Sequence, residues 1–166
     1  KVQCISGLKI DTYFPASKIQ WLLEHQPELK QKLIEGSVLL GTIDTYLIYR
    51  LTGGQVYATD YTNASRTLLF DINQLTWSEE MCELFGIPYH SLPEVRESGD
   101  TFGETTFEGI LQRPLPLCGV MGDSQAALFA QRCFENGSAK VTFGTGSSIL
   151  LNIGKKPQYS SNGVVT

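Results

Sequence analysis

Apolar residues along the chain follow two alternating periodicities, one typical of helices and one typical of strands. In residues 15–25, PASKIQWLLEH, apolar side chains recur three and four positions apart behind a proline, which predicts an amphipathic helix with that proline in its first turn. Residues 27–35, PELKQKLIE, repeat the pattern and end at Gly36, a residue that suits a left-handed helix end. The same criteria predict further helices over residues 42–51, 78–85 and 124–134.

Short apolar or alternating segments predict strands between these helices. They are residues 37–41 (SVLLG), 55–60, 68–72 (LLFDI), 101–106, 117–122 (LCGVMG), 139–143 and 148–153. The last two flank the sequence GTGS and are expected to form a hairpin. The sequence TNASRT is expected to be a polar loop, and the proline-rich stretch 87–116 a long connector with one strand. Helices and strands thus alternate, as they do in α/β folds.

Length and composition fit a globular protein and exclude several classes. The chain has 166 residues, of which 42% are hydrophobic, and a formal net charge of −4. Its 13 basic residues are scattered, so the chain lacks the basic stripe that neutralises nucleic-acid phosphates, and no nucleic-acid partner is expected. No apolar run approaches the roughly 18 residues needed to cross a bilayer, so no membrane partner is expected either.

The four cysteines lie far apart and form no CxxC pair, so neither a zinc site nor a disulfide scaffold is predicted, and no metal ligand is assigned. We expect each cysteine to be a small structural residue of the core, as the apolar context PLPLCGV of Cys118 indicates. Free thiols and the absence of a secretory signal in KVQCISGLKI favour a cytoplasmic protein. Because the chain starts without methionine and stops as an extended segment begins, both ends are expected to be internal to a longer protein.

The first candidate for chemistry is Asp123, which follows an apolar segment and begins a helix in GVMGDSQAALFAQ. One interpretation is structural, because a carboxylate there caps free N–H groups and meets the positive end of the helix dipole. The other is functional, because strand-to-helix junctions of α/β sheets lie where ligands bind. In that case the carboxylate faces a substrate, and it is not excluded as the base of a phosphoryl transfer, in which the hydroxyl proton leaves late.

The second candidate is the glycine-rich turn of VTFGTGSSILL. Hairpin turns often require a positive φ, which would explain Gly144 and Gly146 structurally. Alternatively, the two glycines leave backbone amides and the hydroxyl of Thr145 open to a phosphate or a ribose. A third candidate is Tyr13 in IDTYF, whose ring either walls a small polar ligand or simply packs.

Six separated blocks of the sequence resemble a known family. They are GLKIDTYFPASKIQWLLEH, GTIDTYLIYRLTGG, ATDYTNASRTLLFDI, LPEVRES, GDSQAALFAQ and KVTFGTGSSILLNIG. In this order they resemble the FGGY family of carbohydrate kinases, and within it most of all the glycerol kinases. The resemblance covers essentially the whole chain. It implies an α/β fold of the ribonuclease-H-like, actin-like ATPase type, with a mixed sheet flanked by helices.

This resemblance implies an enzyme that uses ATP and Mg²⁺ to phosphorylate a hydroxyl of a polyol or sugar, with glycerol as the first expected substrate. Asp123 in GDSQ matches the catalytic base of the family. Thr145, between Gly144 and Gly146, matches the loop at the nucleotide phosphates. Tyr13 matches a tyrosine that lines the glycerol pocket. The expected partners are a small-molecule substrate and, in the full-length protein, further copies of the same chain.

Two positions depart from the family pattern. Glycerol kinases typically have GDQQ where this chain has Ser124 after the aspartate, and GTGCF where it has Ser148. Ser124 is assigned to the substrate pocket, and the two hydroxyls are expected to make that pocket wider and more polar. Xylulose, ribulose, erythritol or gluconate therefore stay open as substrates, since small pocket changes can alter selectivity strongly. A catalytically silent sugar- or nucleotide-binding protein stays open as well.

The resemblance also implies a domain boundary. Residues 1–136 are expected to be the latter part of the first, substrate-side domain, and residues 137–166 the first strands of the second, nucleotide-binding domain. Family members begin with a D-x-G-T-[ST] phosphate loop, and this sequence does not contain that motif. The isolated chain is therefore expected to be inactive.

Overall fold

The computed structural model describes all 166 residues as a mixture of short helices and strands. The helices are α1 (Val2–Ser6), α2 (Pro15–His25), α3 (Pro27–Ile34), α4 (Ile43–Leu51), α5 (Tyr61–Ala64), α6 (Glu79–Phe85) and α7 (Asp123–Ala130). The strands are β1 (Ala58–Asp60), β2 (Phe70–Asp71), β3 (Thr76–Trp77), β4 (Glu94–Arg96), β5 (Thr101–Thr105), β6 (Leu115–Cys118), β7 (Ala139–Phe143) and β8 (Ser147–Leu151). None of the helices is long and apolar enough to span a lipid bilayer.

The strands pair in four two-stranded sheets. β1 and β4 are parallel, with Thr59 opposite Val95. The pairs β2–β3, β5–β6 and β7–β8 are antiparallel. In β7–β8 the register places Val141 opposite Ile149 and Phe143 opposite Ser147, which confirms the hairpin that the sequence predicted.

The main hydrophobic core lies between α2, α3, α5, α6 and the β2–β3 pair and contains 14 buried residues. The rings of Phe70 and Trp77 meet edge to face within it, with centroids 5.8 Å apart. A second cluster of three buried residues joins α4, β1 and β5: Ile48, Ala58 and Phe102. Neither cluster includes a buried residue of α7 or of the β7–β8 hairpin, so these elements pack outside both cores.

The five predicted helices are present, and their ends have the expected features. Pro15 lies in the first turn of α2. The Oγ of Ser78 accepts a hydrogen bond from the N–H of Met81 at 3.3 Å and so caps α6, which ends at Gly86 with a φ of 65°. α7 ends at Ala130 rather than at residue 134. Periodic apolar spacing therefore located the helices well, and their C-terminal ends less well.

Several local predictions were wrong. Residues 37–41 form no strand, because no backbone hydrogen bond pairs residues 38–41 with another segment. The carbonyl of Leu40 accepts a hydrogen bond from the Tyr57 hydroxyl instead. TNASRT is not a simple loop, since α5 lies across its start. The connector 87–116 contains β4, which the sequence pattern did not reveal, and the strand predicted over residues 117–122 is displaced to β6.

The prediction for the cysteines is confirmed for Cys82 and wrong for Cys4 and Cys118. Cys82 is buried in the main core, where burial raises the pKa of its thiol to about 11. Cys4 and Cys118 are exposed, and all four cysteines are free thiols. Cys118 lies on β6, which pairs only with β5 in a two-stranded sheet. Its side chain therefore stays exposed although its neighbours in the sequence are apolar.

Candidate active site

Asp123 is the first residue of α7, and its side chain is exposed. The cap position belongs to Gly122, which has no side chain. One carboxylate oxygen of Asp123, Oδ1, accepts a hydrogen bond from the N–H of Ser124 at 2.6 Å, whereas Oδ2 accepts none. Capping therefore explains only one of the two oxygens. The other lies at the positive end of the helix dipole and is free for a ligand.

Gly122 is closely surrounded, although its backbone is ordinary. Its φ of −58° is available to any residue. A Cβ at this position would lie 2.7 Å from Oε1 of Gln125 and 3.5 Å from Oγ1 of Thr62. The N–H of Gly122 donates a hydrogen bond to the same Thr62 oxygen at 2.7 Å. A side chain at Gly122 would therefore displace the flexible end of Gln125, and it would not strain the backbone.

Thr62 belongs to a hydrogen-bond network around Asp60, which is completely buried at the end of β1. Asp60 is the N-cap of α5 and accepts bonds from the N–H groups of Thr62 and Asn63, both at 3.0 Å. Its carboxylate also accepts bonds from the Thr62 hydroxyl at 2.7 Å and from the Ser98 hydroxyl at 2.6 Å. The buried carboxylate is thus fully satisfied, as buried charges in proteins must be.

Tyr13 lies in the loop before α2, with its side chain 77% exposed. Its N–H donates to Oδ1 of Asp11 at 2.8 Å, and its ring meets Phe14 edge to face. The loop is tied to the segment after α5, because the N–H of Ala16 donates to the carbonyl of Thr67 at 3.1 Å. The ring is therefore exposed to a ligand rather than packed in the core.

Arg66 places a positive charge close to Tyr13. Burial lowers the pKa of its guanidinium, and the nearby phenol of Tyr13 acts in the opposite direction. Nη2 of Arg66 donates to the carbonyl of Thr166 at 2.5 Å, while the buried Nε has no partner.

Residues 60–67 therefore contact both the loop that carries Tyr13 and the residue that precedes Asp123. Thr67 and Arg66 are next to the loop of Tyr13, and Thr62 holds the residue before Asp123. The sequence pattern alone did not reveal this role. An available indication was the N-cap pattern in TDYTN, in which an aspartate at the end of a predicted strand is followed by a short helix.

The backbone at the tip of the β7–β8 hairpin does not have the positive φ angles that the structural interpretation of its glycines expected. Neither Gly144 nor Gly146 has a positive φ, so the expectation that the turn requires them for that reason is wrong. A Cβ at Gly146 would meet no atom within 4 Å, and one at Gly144 would meet only the carbonyl of Gly146, at 3.5 Å. The tip, with Thr145 at its centre, is exposed. The turn is thus open to close approach by a ligand.

The predicted site residues fall into two groups: Tyr13 lies in the loop before α2, and the others lie on α7 and the β7–β8 hairpin. Asp123 and Ser124 are bonded neighbours at the start of α7, and α7 packs against both strands of the hairpin that bears Thr145. No hydrogen bond joins Asp123 to Tyr13 or to the hairpin tip.

Two cavities, of about 30 and 300 Å³, are lined by other residues. The structure contains no group of three or more His, Cys, Asp or Glu side chains suited to a metal ion.

Comparison with known proteins identifies the family. Residues 1–130 match the FGGY family of carbohydrate kinases, N-terminal domain. The chain is 50% identical over 165 residues to glycerol kinase 1 of Thermotoga maritima, covering 99% of the chain and 33% of that protein. It is 54% identical over 161 residues to the glycerol kinase of Thermococcus gammatolerans, covering 97% of the chain and 32% of that protein.

A solved structure gives the same result. The crystal structure of Plasmodium falciparum glycerol kinase with ADP superimposes with a TM-score of 0.93 at 43% identity, covering 99% of this chain and 33% of that one. The fold is thus the ribonuclease-H-like, actin-like ATPase fold of sugar kinases that use a nucleotide and act on small sugars or polyols. The chain belongs to the FGGY family of carbohydrate kinases. It spans about a third of the length of the relatives that it matches.

Proposed function

We propose that the whole protein transfers the γ-phosphoryl group of ATP to a hydroxyl of a small polyol, with glycerol as the first substrate to test. The observation that supports this most is the exposed Asp123 carboxylate, with one unpaired oxygen, in a chain about half identical to glycerol kinases along its length. Xylulose, ribulose, erythritol and gluconate are the further substrates that the pocket changes suggest.

Asp123 acts as the general base. The substrate hydroxyl donates to the free Oδ2 while Oδ1 stays bonded to Ser124, which holds the carboxylate in one orientation. As the substrate oxygen forms a bond to the γ-phosphorus, the bond from that phosphorus to the β–γ bridging oxygen breaks and ADP leaves. The hydroxyl proton passes to Asp123. An exposed carboxylate suffices, because in a loose transition state the proton leaves late.

The hairpin tip provides the nucleotide contact. Gly144 and Gly146 carry no side chain, and open space surrounds Gly146, so the backbone and the Thr145 hydroxyl can approach the phosphates. Mg²⁺ would supply charge neutralisation of these phosphates. The structure contains no cluster of His, Cys, Asp or Glu side chains that could hold the ion by itself, which fits a metal held mainly by phosphates and water.

The substrate pocket is proposed to lie between Tyr13 and the start of α7. Tyr13 is exposed enough to form a wall, and Ser124 lies next to the base with a hydroxyl that can bond a further substrate oxygen. Ser148 is exposed on β8, opposite Thr142. A pocket lined by these groups accepts a short polar chain of carbons and hydroxyls.

We also retain the proposed boundary near residue 136. Support comes from the match to the N-terminal domain of the family, which ends at residue 130, and from the hairpin, whose strands bury only Lys140. Residues 137–166 are then the opening strands of the nucleotide-binding domain. A cytoplasmic location follows from ATP use and four free thiols, and assembly of the full-length protein into a homo-oligomer completes the proposal.

The experiment is an assay of ADP release by the full-length protein with Asp123→Asn as the variant. Wild type should turn over glycerol or one of the named substrates, and Asp123→Asn should reduce kcat by about 10³-fold or more while ATP binding stays unchanged. Near-normal turnover of the variant would show that Asp123 is not the base. A wild type that binds ATP but phosphorylates none of the panel would instead identify a catalytically silent protein.

A further inference from the structure

We propose that Thr62 is a positioning residue for Asp123, and that this is the role of the motif TDYTN in the reaction. This inference rests on the proposed function, since it assigns a task to Thr62 in the same site. Thr62 does not contact the Asp123 carboxylate. It acts through the backbone of Gly122, the residue directly before the base.

The orientation of the Thr62 hydroxyl is determined by its two partners. Oγ1 lies 2.7 Å from Oδ2 of Asp60 and 2.7 Å from the backbone nitrogen of Gly122. An ionised carboxylate only accepts hydrogen bonds and an N–H only donates them. The hydroxyl hydrogen therefore points to Asp60, and a lone pair of the same oxygen receives the N–H of Gly122.

Asp60 is a rigid anchor for this arrangement. It is completely buried, and its carboxylate also accepts bonds from Ser98 and from the backbone and side chain of Asn63. Such bonds to a charged group are about twice as strong as neutral ones. The anchor therefore does not depend on Thr62 alone, and a change at Thr62 should leave it in place.

The bond to Gly122 compensates for a flexible junction. Glycine has the widest range of backbone conformations, and the first N–H groups of a helix have no partner within the helix. Here the Gly122 N–H is bonded to Thr62, and the Gly122 carbonyl accepts the N–H of Ala126 at 2.8 Å. Both sides of the residue are thus held, so the direction in which Asp123 leaves the junction is determined.

The test compares Thr62→Val with Thr62→Ser in the full-length protein. Valine keeps the shape and removes the hydroxyl, so kcat should fall by about 10- to 100-fold, the cost of misplacing a catalytic group by about 1 Å. KM for ATP should stay close to wild type, because the hairpin tip is untouched. Serine restores the hydroxyl and should restore most of kcat.

Thr52→Val is a matched control. Thr52 is buried, whereas Thr62 is partly buried. Like that of Thr62, the Thr52 hydroxyl accepts a backbone N–H, from Val56 at 3.1 Å, but Thr52 follows α4 and bonds neither Asp60 nor Gly122. The Thr52→Val variant should have a lower thermal stability but an unchanged kcat. An equal loss of kcat in both valine variants, or wild-type kcat in Thr62→Val, would overturn the proposal.

A second measurement does not depend on activity. Hydrogen exchange of the wild-type protein should show a protected Gly122 amide, and in Thr62→Val this amide should lose its protection while the rest of α7 does not. A rapidly exchanging Gly122 amide in wild type overturns the inference even if Thr62→Val does not fold. Absence of turnover in wild type with a protected Gly122 amide would reject the proposed function and leave the structural link intact.

Discussion

The indole N–H of Trp77 donates a 2.7 Å hydrogen bond to the carbonyl of Pro93 inside the main core. Trp77 is at the end of β3 and Pro93 directly precedes β4, so this bond connects the β2–β3 pair to the parallel β1–β4 pair. The Pro93 carbonyl accepts no backbone N–H. A side chain therefore provides the link between two sheets that share no backbone hydrogen bond.

Replacement of Trp77 by phenylalanine should destabilise the protein by about 1–3 kcal/mol, because it leaves a buried carbonyl without a donor. Urea denaturation followed by circular dichroism measures this loss. Trp21→Phe is the control, since Trp21 is 55% exposed on α2 and should change the free energy of unfolding by less than about 0.5 kcal/mol. Equal effects of the two substitutions would contradict the role of the Trp77 bond.

The buried thiol of Cys82 makes stability depend on alkaline pH. Burial raises its folded-state pKa from 9.0 to about 11. Because the folded-state pKa is raised, the thiol's contribution to the free energy of unfolding is fully present below pH 9. It is lost as the pH rises towards 11, since the unfolded thiol releases its proton first. Urea midpoints should therefore fall more steeply over this range for wild type than for Cys82→Ala. Parallel pH profiles of the two proteins would show that the thiol does not contribute.

A side chain at Gly146 should weaken nucleotide binding without harming the fold. A Cβ there meets no atom of this chain, so Gly146→Val should change stability by less than about 0.5 kcal/mol. If phosphates approach the hairpin tip, KM for ATP should rise by about tenfold or more, a cost of about 1.4 kcal/mol. The control is Gly99→Val, which also enters open space but lies away from the tip. Unchanged ATP binding in Gly146→Val would remove the tip from the nucleotide site.

Ser148 should influence which polyol is preferred. Introduction of an aromatic ring, Ser148→Phe, should shift kcat/KM towards glycerol over erythritol or xylulose by about tenfold, because a smaller pocket excludes longer chains. Side chains alternate between the faces of a strand, so Ser147→Phe places the same ring on the opposite face of β8 and serves as the control. Substrate competition assays measure the ratio, and an equal shift in both variants would argue against a pocket at Ser148.

Local sequence features were sufficient for much of this molecule. The helix over residues 15–25 was predicted with its observed bounds, and the hairpin around GTGS and the placement of Asp123 where a helix begins were also predicted. Each rests on residues close together in the chain. In contrast, β4 was missed because its three residues have no periodicity, and it exists because β1 lies beside it.

The sequence by itself therefore determined the helices, the β7–β8 hairpin and the family resemblance, since apolar spacing, turn residues and motifs are local properties of the chain. Only the tertiary structure decided that Asp60 is buried, that Thr62 holds Gly122, and that Gly146 lies in open space. The bond between Thr62 and Gly122 joins residues 60 positions apart. Such contacts depend on how whole elements pack, and burial then decides which polar groups must find each other.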